Sequence, residues 1–238
     1  MSDKGGLVVF KKGDQGGIVL TDPKGKTTRT VSGNASCDIV FVTDTTGSMS
    51  DKIDGLMATS QKFVDKIASR NVDWRIAVVA FGDLTVAGDT IQATGFSNKL
   101  EAVKHELANV PRNDGGGNNG ESSFEALDKA LALSFRQNAI KVFVLMTDEP
   151  ALTRSFSPDQ ITKRLKQAGV LTFVISDPID YFKRMASETG GKWFKISSET
   201  DFLSILDELF KTVTETVVEV QTLGGGNVQD YLQLKSGK

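Results

Sequence analysis

The feature that most constrains the fold is a run of β-branched and aromatic residues that ends in a turn rich in oxygen-bearing side chains. Residues 39–42 form a continuous apolar run of the kind found in a strand covered on both faces. Asp44 stands where such a strand ends, and Thr46 and Ser48 follow it at alternate positions. One carboxylate and two hydroxyls are hard oxygen donors of the kind that Mg²⁺ prefers. We therefore predict a magnesium site at the end of a buried strand.

Two later segments extend this pattern. Residues 141–150 again form an apolar run that ends in an acid, Asp148. Between the two runs, residues 114–123 are rich in glycine and lead into apolar residues at helical spacing, beginning at Phe124. The chain thus offers three loops that could contribute to one site.

Apolar strand runs alternate with amphipathic helical patterns along the chain. This alternation predicts an α/β fold with a doubly wound, mostly parallel sheet flanked by helices. The 238 residues are ample for one large domain with a proper core. Further strands are expected at 74–81, 90–96, 142–146, 170–176 and 193–196. Helices are expected at 53–67, 100–110, from Ser122, from Ser157-Pro158, at 181–187 and at 202–210.

Such a sheet binds ligands outside the carboxyl ends of its strands, where the strand order reverses. Asp44 and Asp148 both stand at predicted carboxyl ends, and adjacent central strands would bring them within reach of one ion. Two close acids repel each other, and a shared cation would relieve that repulsion. In the alternative interpretation, Asp44 caps a helix and Asp148 pairs with a basic residue.

The three loops together resemble the metal-ion-dependent adhesion site (MIDAS) of von Willebrand factor A (vWA) domains. The resemblance rests on the Asp-x-Thr-x-Ser pattern at 44–48, the glycine-rich loop at 114–123 and the strand with its acid at 141–150. It covers roughly residues 36–215 and implies the Rossmann-like vWA fold. The metal ligands that it implies are Asp44, Thr46, Ser48 and Asp148, with Mg²⁺ as the ion and Mn²⁺ or Ca²⁺ as alternatives.

The second loop departs from the family pattern, which often offers a threonine ligand there. No threonine lies between Gly115 and Gly120. Asn118 is the expected substitute because its side-chain carbonyl is a hard acceptor, while Asn119 and Glu121 remain alternatives. The loop could instead be glycine-rich only because it caps the following helix, with Asn119 near the cap and Glu121 in the first turn.

The resemblance implies a protein–protein interaction module. In this family an acidic side chain of a partner protein typically completes the coordination of the metal. We expect the loops at the same edge to surround that contact, and the candidate rim residues are Asp83, Leu84, Glu149, Leu152 and Asp177. Bacterial intracellular proteins with similar third loops often work beside AAA-type ATPases or in stress and defence systems, so the resemblance extends the partner prediction to those classes.

Two other functions compete with this one. In the first, the metal only stabilises a structural component of an intracellular assembly. In the second, the chain is a magnesium-dependent hydrolase or phosphatase. The sequence argues against an enzyme: it has no Gly-x-x-x-x-Gly-Lys-Ser/Thr loop, and Thr46 stands where a phosphoaspartate-type site would place a second acid. The only histidine, His105, falls in an amphipathic helical stretch, where a surface position is expected.

Net charge and composition restrict the binding partners and the cellular compartment that we expect. The net charge is −2, so no long-range field recruits nucleic acid or an anionic membrane. The single cysteine, Cys37, has no intramolecular partner and favours a reducing compartment. No stretch is long and apolar enough to span a bilayer, and residues 1–6 lack the apolar core of a signal peptide. We expect a cytoplasmic protein.

The flanks differ in character from the central domain, residues 36–215. Residues 1–35 contain short β-prone runs separated by turns rich in glycine. Residues 216–238 also favour β structure around Gly224–Gly226. Because short hairpins are unstable alone, we predict that the two flanks pair into a small accessory sheet.

Overall fold

The computed structural model describes residues 9–12, 18–21, 27–31, 35–70, 72–115, 117, 120–196 and 199–236. Its strands are β1 (Val9–Lys12), β2 (Ile18–Thr21), β3 (Thr27–Val31), β4 (Ala35–Asp44), β5 (Val72–Phe81), β6 (Ile91–Ala93), β7 (Ile140–Met146), β8 (Val170–Ser176) and β9 (Trp193–Lys195). Its α-helices are α1 (Ser50–Ala68), α2 (Leu100–Ala108), α3 (Ser123–Leu131), α4 (Pro158–Gln167), α5 (Asp180–Glu188), α6 (Glu199–Leu223) and α7 (Val228–Ser236).

The main sheet of the described residues has six strands in the order β6-β5-β4-β7-β8-β9. All neighbours in it are parallel except β5 and β6. The chain moves outward from β4 to β5 and β6, then returns to β7 on the other side of β4. This reversal confirms the doubly wound α/β prediction, and it places the carboxyl ends of β4 and β7 side by side.

The two faces of the sheet carry separate apolar cores because successive strand residues point to opposite sides. On one face, Phe41 packs with Phe63 of α1 and Phe210 of α6, whose ring centroids lie 4.2 Å apart. On the other face, Val40 and Val42 belong to a core that also contains Phe124 of α3. Both faces of β4 are therefore covered by apolar side chains, which explains why residues 39–42 form a continuous apolar run.

The amino-terminal half of β4 contains an ion-pair network around Asp38, which is completely buried. Arg75 donates two hydrogen bonds to its carboxylate, at 3.0 and 2.6 Å. Arg136 donates through its backbone N–H and its Nε, both at 2.8 Å. Burial by itself raises the pKa of Asp38, but the hydrogen bonds from the two arginines together lower it below its ordinary value.

Most predicted elements agree with the structure to within a few residues. The predicted strand at 170–176 coincides with β8. The predicted helix start at Ser157-Pro158 is confirmed as a capping box, in which the Ser157 hydroxyl accepts from Gln160 N at 3.3 Å and the Gln160 side chain accepts from Ser157 N at 2.8 Å. The strand predicted at 90–96 is shorter, because β6 covers only Ile91–Ala93.

The β prediction for residues 216–238 is wrong. Helix α6 runs through residue 215 to Leu223, and α7 follows from Val228. Val213, Val217 and Val220 recur at helical spacing and are buried in the core shared with α1. This burial outweighs the β propensity of the segment, since tertiary packing routinely overrides local preference. The threonine hydroxyls also fit a helix: that of Thr222 donates to the carbonyl four residues earlier at 2.6 Å.

The amino-terminal flank does contain short antiparallel strands. They pair with one another in the order β1-β2-β3. The glycine-rich turns predicted between these strands lie outside the described residues. The predicted pairing with the carboxyl-terminal flank is wrong, because that flank is helical. Within the part of the chain that the structure describes, no helix has the length and hydropathy needed to cross a membrane.

Candidate metal centre

The turn after β4 is organised around the carboxylate of Asp44. Its Oδ1 accepts hydrogen bonds from the backbone N–H of Thr46 at 3.0 Å and from the Thr46 hydroxyl at 2.7 Å. Its Oδ2 accepts from the hydroxyl of Thr147 at 2.8 Å. Asp44 is fully buried, so neutral donors rather than water surround it.

The loop after β7 meets this turn. The Ser48 hydroxyl donates to Oδ1 of Asp148 at 3.1 Å. Thr147, directly before Asp148, links the loop to the Asp44 carboxylate. The structure thus brings together four of the predicted ligands, which are Asp44, Thr46, Ser48 and Asp148. Among the described residues, Asp148 contacts a hydroxyl and no basic side chain, which disfavours the ion-pair alternative.

The loop before α3 contributes Glu121. The predicted ligand Asn118 and its alternative Asn119 lie outside the described residues. Glu121 is almost completely buried, and a short bridge holds it to the β7 loop: its N–H donates to the Pro150 carbonyl at 2.9 Å, and its carbonyl accepts from Leu152 N at 2.9 Å. Glu121 precedes α3, so it does not lie in the first turn of that helix.

The carboxylate of Glu121 lies against the Asp44 turn. A Cβ atom added to Gly115 would lie 2.8 Å from both Glu121 Oε1 and the Thr46 methyl group, so these three residues pack tightly and position 115 requires glycine. The other oxygen, Oε2, is buried and has no hydrogen-bond partner among the described residues. A buried carboxylate oxygen without a partner is costly unless a cation or a donor meets it.

Electrostatics at this edge disfavour negative charge. Burial raises the pKa of Asp44 to about 6, against the opposing effect of its hydrogen bonds. Burial also raises the pKa of Glu121 to about 8, and the carboxylates around it act in the same direction. Those carboxylates belong to Asp44, Asp83, Asp89 and Glu149. Both shifts indicate that a cation would be favourable here.

The donor set consists of oxygen atoms. Within the described ranges, no cluster of three or more His, Cys, Asp or Glu side chains has the arrangement of a metal site by itself. The hydroxyls of Thr46 and Ser48, which donate to the carboxylates of Asp44 and Asp148, are the neutral oxygens predicted as further ligands. Oxygen donors of this kind suit Mg²⁺, Mn²⁺ or Ca²⁺.

Asp89 and Asn113 hold the loops in place, and neither residue was predicted as part of the site. Asp89 accepts backbone hydrogen bonds from Asp83 at 3.0 Å, from Asp114 at 2.8 Å and from Gly115 at 3.0 Å. Asn113 donates to the Thr45 hydroxyl at 2.8 Å. These contacts join positions far apart in sequence, and no local pattern marks them. Thr147 had a visible signal, since a hydroxyl directly before the acid repeats the chemistry of the first loop.

The predicted rim residues differ in accessibility. Leu84 and Asp177 are exposed, and Glu149 and Leu152 are partly buried. Asp83 is completely buried, and its carboxylate accepts from the backbone and hydroxyl of Thr85, each at 2.7 Å. It shapes the turn after β5 and is not accessible to a partner, so its assignment to the rim is wrong.

The fold and this edge define a doubly wound α/β domain with an oxygen-donor site at its switch point. The family model of the von Willebrand factor type A domain matches residues 38–211, and the chain belongs to this family. The comparison with curated proteins gives no match.

Two solved structures of proximal thread matrix protein 1 from the mussel byssus share the fold. One has a TM-score of 0.56 at 20% identity over 76% of this chain. The other, described as having a zinc-occupied MIDAS motif, has a TM-score of 0.58 at 21% identity over 77% of this chain. The chain spans about half of the mussel protein, since the match covers 47% of it in each case.

Proposed function

We propose that the carboxyl edge of the sheet binds a divalent cation, Mg²⁺, and that the bound ion recruits a partner protein through an Asp or Glu side chain of that partner. The observation that carries this proposal is the convergence of Asp44 and Glu121. Both are buried carboxyl groups at the switch point: the described donors to Asp44 are neutral, and Glu121 Oε2 has no hydrogen-bond partner among the described residues. A cation offsets the cost of burying such groups.

The residues that would hold the ion come from three loops. Asp44, Thr46 and Ser48 belong to the first loop and Asp148 to the third. Asn118 is the predicted ligand of the second loop. Oε2 of Glu121, which has no hydrogen-bond partner among the described residues, supports the alternative that Glu121 fills this role. The ion would supply an electrophilic position for a carboxylate oxygen. Zinc in the mussel protein supports a divalent metal in general, and the absence of nitrogen and sulfur donors among the predicted ligands favours Mg²⁺.

A binding module accounts for the site better than an enzyme does. The sequence has no Gly-x-x-x-x-Gly-Lys-Ser/Thr loop, and the hydroxyl of Ser48 donates to Asp148 rather than to His105, the only histidine. A fold-stabilising metal without a partner is the second candidate, favoured by the burial of Asp44. The partner classes drawn from the family resemblance, AAA-type ATPases and components of stress or defence systems, stay predictions.

The test compares the wild type with Asp44→Ala by calorimetric titration with Mg²⁺, followed by affinity pull-down from native extract in Mg²⁺ and in EDTA. Asp51→Ala is the matched control, because Asp51 is an exposed acid in the first turn of α1. We expect the wild type and the control to bind Mg²⁺ and to retain a partner only when the metal is present. Metal binding without a metal-dependent partner would favour the structural role, and a wild type that binds no divalent ion would refute the proposal.

A further inference from the structure

Two side chains join the turn after β5 to the amino end of the glycine-rich loop in a reciprocal way. The carboxylate of Asp89 accepts hydrogen bonds from the backbone N–H groups of Asp114 at 2.8 Å and Gly115 at 3.0 Å. In return, the side-chain amide of Asn113 bonds to the backbone of Thr90. Its Oδ1 accepts from the Thr90 N–H at 2.9 Å, and its Nδ2 donates to the Thr90 carbonyl at 3.4 Å. We call Asp89 and Asn113 the clasp.

The clasp also contacts the turns that follow β4 and β5. Asp89 accepts from the N–H of Asp83 at 3.0 Å, and Asn113 donates to the Thr45 hydroxyl at 2.8 Å. The N–H of Asn113 donates to the Thr45 carbonyl at 3.1 Å. A Cβ atom added to Gly82 would overlap Asn113 and lie 2.6 Å from Oδ2 of Asp89, so the clasp packs directly on the backbone at position 82. The clasp thus holds three loops together.

The segment that the clasp holds is the one that packs on the predicted ligands. Gly115 lies against the Thr46 methyl group and Oε1 of Glu121. The stretch from Gly115 to Glu121 contains all three candidates for the second-loop ligand, which also include Asn118 and Asn119. A change in the clasp would therefore shift the second loop and leave every candidate ligand in place in the sequence.

The two common divalent ions with oxygen ligands differ in how much displacement they tolerate. Mg²⁺ requires nearly ideal octahedral geometry at about 2.0–2.1 Å, whereas Ca²⁺ accepts more ligands at about 2.3–2.6 Å in a flexible arrangement. A second loop that is held firmly therefore favours Mg²⁺. A loosened loop costs Mg²⁺ more than Ca²⁺, because Ca²⁺ can adjust its coordination to a displaced donor.

Resting on the proposed function, we propose that Asp89 is a positioning residue that fixes the second loop and thereby sets the preference of the site for Mg²⁺ over Ca²⁺. Its two oxygens satisfy three backbone donors: Asp114 bonds to Oδ1, and Asp83 and Gly115 bond to Oδ2. An asparagine amide accepts through only one of its two terminal atoms, so Asp89→Asn leaves at least one of these N–H groups without its acceptor. The lost charge acts alike on both divalent ions, so the ratio of the two affinities isolates the positioning role.

The test is a calorimetric titration of the metal-free chain with Mg²⁺ and, separately, with Ca²⁺. We expect Asp89→Asn to weaken Mg²⁺ binding by about tenfold, as changes to residues that orient metal ligands commonly do. Ca²⁺ binding should weaken by at most about threefold, because this ion tolerates a displaced loop. Thr189→Val is the matched control. It removes a buried hydroxyl that accepts from Thr172 N at 3.1 Å, near the amino end of β8, so it should leave the ratio unchanged.

Amide hydrogen exchange in EDTA gives a readout that does not depend on the metal. In Asp89→Asn, the amides of Asp114 and Gly115 should exchange faster than in the wild type, while that of Val42 in the central strand should stay protected. Gly115→Ala is a second variant that keeps the test decisive if Asp89→Asn does not fold. Its φ of +72° and the contact of the new Cβ with Glu121 displace the same loop, so the Mg²⁺ preference should fall in the same way.

The outcomes separate the two proposals. If the wild type binds Mg²⁺ and the variants keep its ratio of Mg²⁺ to Ca²⁺ affinity, the inference is overturned and the proposed function stands. A wild type without a preference for Mg²⁺, or unchanged exchange at positions 114 and 115 in Asp89→Asn, also overturns the inference alone. If the wild type binds neither ion, the proposed function fails and the inference fails with it.

Discussion

Asp38 and Asp44 are two aspartates of the same strand with the same complete burial and opposite electrostatic environments. Two arginines donate charged hydrogen bonds to Asp38 and lower its pKa. Hydroxyl and backbone donors surround Asp44, and burial raises its pKa to about 6. Burial alone therefore does not decide the state of a carboxylate, because the charge of its partners does.

The comparison separates the roles of the two ends of β4. In the Asp38 network, basic side chains compensate the buried negative charge. The network also links β4 to β5 and to the segment before β7. At the other end, the negative charge of Asp44 lacks a compensating cation among the described side chains. We infer that the amino end of β4 stabilises the fold. The carboxyl end of β4 lowers stability, as residues of binding sites commonly do.

Neutralising each aspartate in turn tests the difference between the two ends of β4 most directly. Asp38→Asn should lower the free energy of unfolding by about 3 kcal/mol, because it leaves two partly buried arginines without their shared anion. Asp44→Asn should change it by less than about 1 kcal/mol or increase it, because it removes an unfavourable buried charge. Urea unfolding in EDTA measures both, and equal losses would contradict the assignment of different roles.

The two aspartates should also give opposite responses to pH in EDTA. The folded pKa of Asp44, about 6, exceeds the ordinary value of 3.8, so the folded state binds more protons than the unfolded state between these values. Asp44 should therefore reduce stability by about 3 kcal/mol as the pH rises from about 4 to 6. The lowered pKa of Asp38 gives stability that is present above its unfolded pKa and is lost as the pH falls through its folded pKa.

Unfolding of wild type and Asp44→Asn across this pH range isolates the contribution of Asp44. Glu121, whose pKa is raised to about 8, stays protonated in the folded state of both proteins over this range, so its contribution nearly cancels in the difference. The difference between the two stabilities should grow from pH 4 to pH 6; above pH 6 the effect of the Asp44 charge on Glu121 also enters it. Parallel profiles would show that Asp44 does not titrate as described.

Addition of Mg²⁺ should offset the destabilising effect of the Asp44 charge at the carboxyl end of β4. At a concentration one hundred times its Kd, the ion should stabilise the wild type by about 2.7 kcal/mol through mass action. Asp44→Asn should lose most of this gain, whereas a control change on the surface of α1, Asp51→Asn, should keep it. Thermal unfolding over a series of Mg²⁺ concentrations measures the shift, and an equal gain in all three proteins would place the ion elsewhere.

The smallest effect is expected at Thr147, which orients the Asp44 carboxylate. Thr147→Val removes a hydroxyl that donates at 2.8 Å while keeping the shape of the side chain. We expect a loss of about 1 kcal/mol in stability and about tenfold in Mg²⁺ affinity. Thr147→Ser restores the donor and should recover the affinity. If the valine and serine variants bind equally, the hydroxyl has no orienting role.

The parallel strands could be predicted from sequence because burial on both faces leaves a continuous apolar run. The run at 170–176 matches β8 to the residue. The helical structure of the carboxyl-terminal segment could not be predicted from propensity. Its β-branched residues have an intrinsic preference for strands, and packing against α1 outweighs that preference. Valines at 213, 217 and 220 do recur at helical spacing, so periodicity held the information that propensity obscured.

Some residues of the candidate metal centre could likewise be predicted from the sequence, and others could not. Asp44, Thr46 and Ser48 lie within one turn, and their spacing alone indicates their contact. Glu121 remained one alternative among three, because burial and the bridge to Leu152 depend on loops that no local pattern specifies. The anchoring role of Asp89 was invisible, since its hydrogen bonds reach residues about 25 positions away.

The β-branched composition of α6 has a consequence for synthesis of the chain. This helix covers the face of the sheet that contains Phe41, together with α1, and its sequence gives it little tendency to form alone. While residues 199–223 are still inside the ribosome, α1 covers only its own part of that face and the contact of Phe210 with Phe41 is missing. When the segment emerges, its β-branched residues lie next to an apolar sheet that is only partly covered. We therefore expect misassembly during synthesis before α6 packs on the sheet, and a chaperone that shields Phe41 and its neighbours at that stage should reduce it.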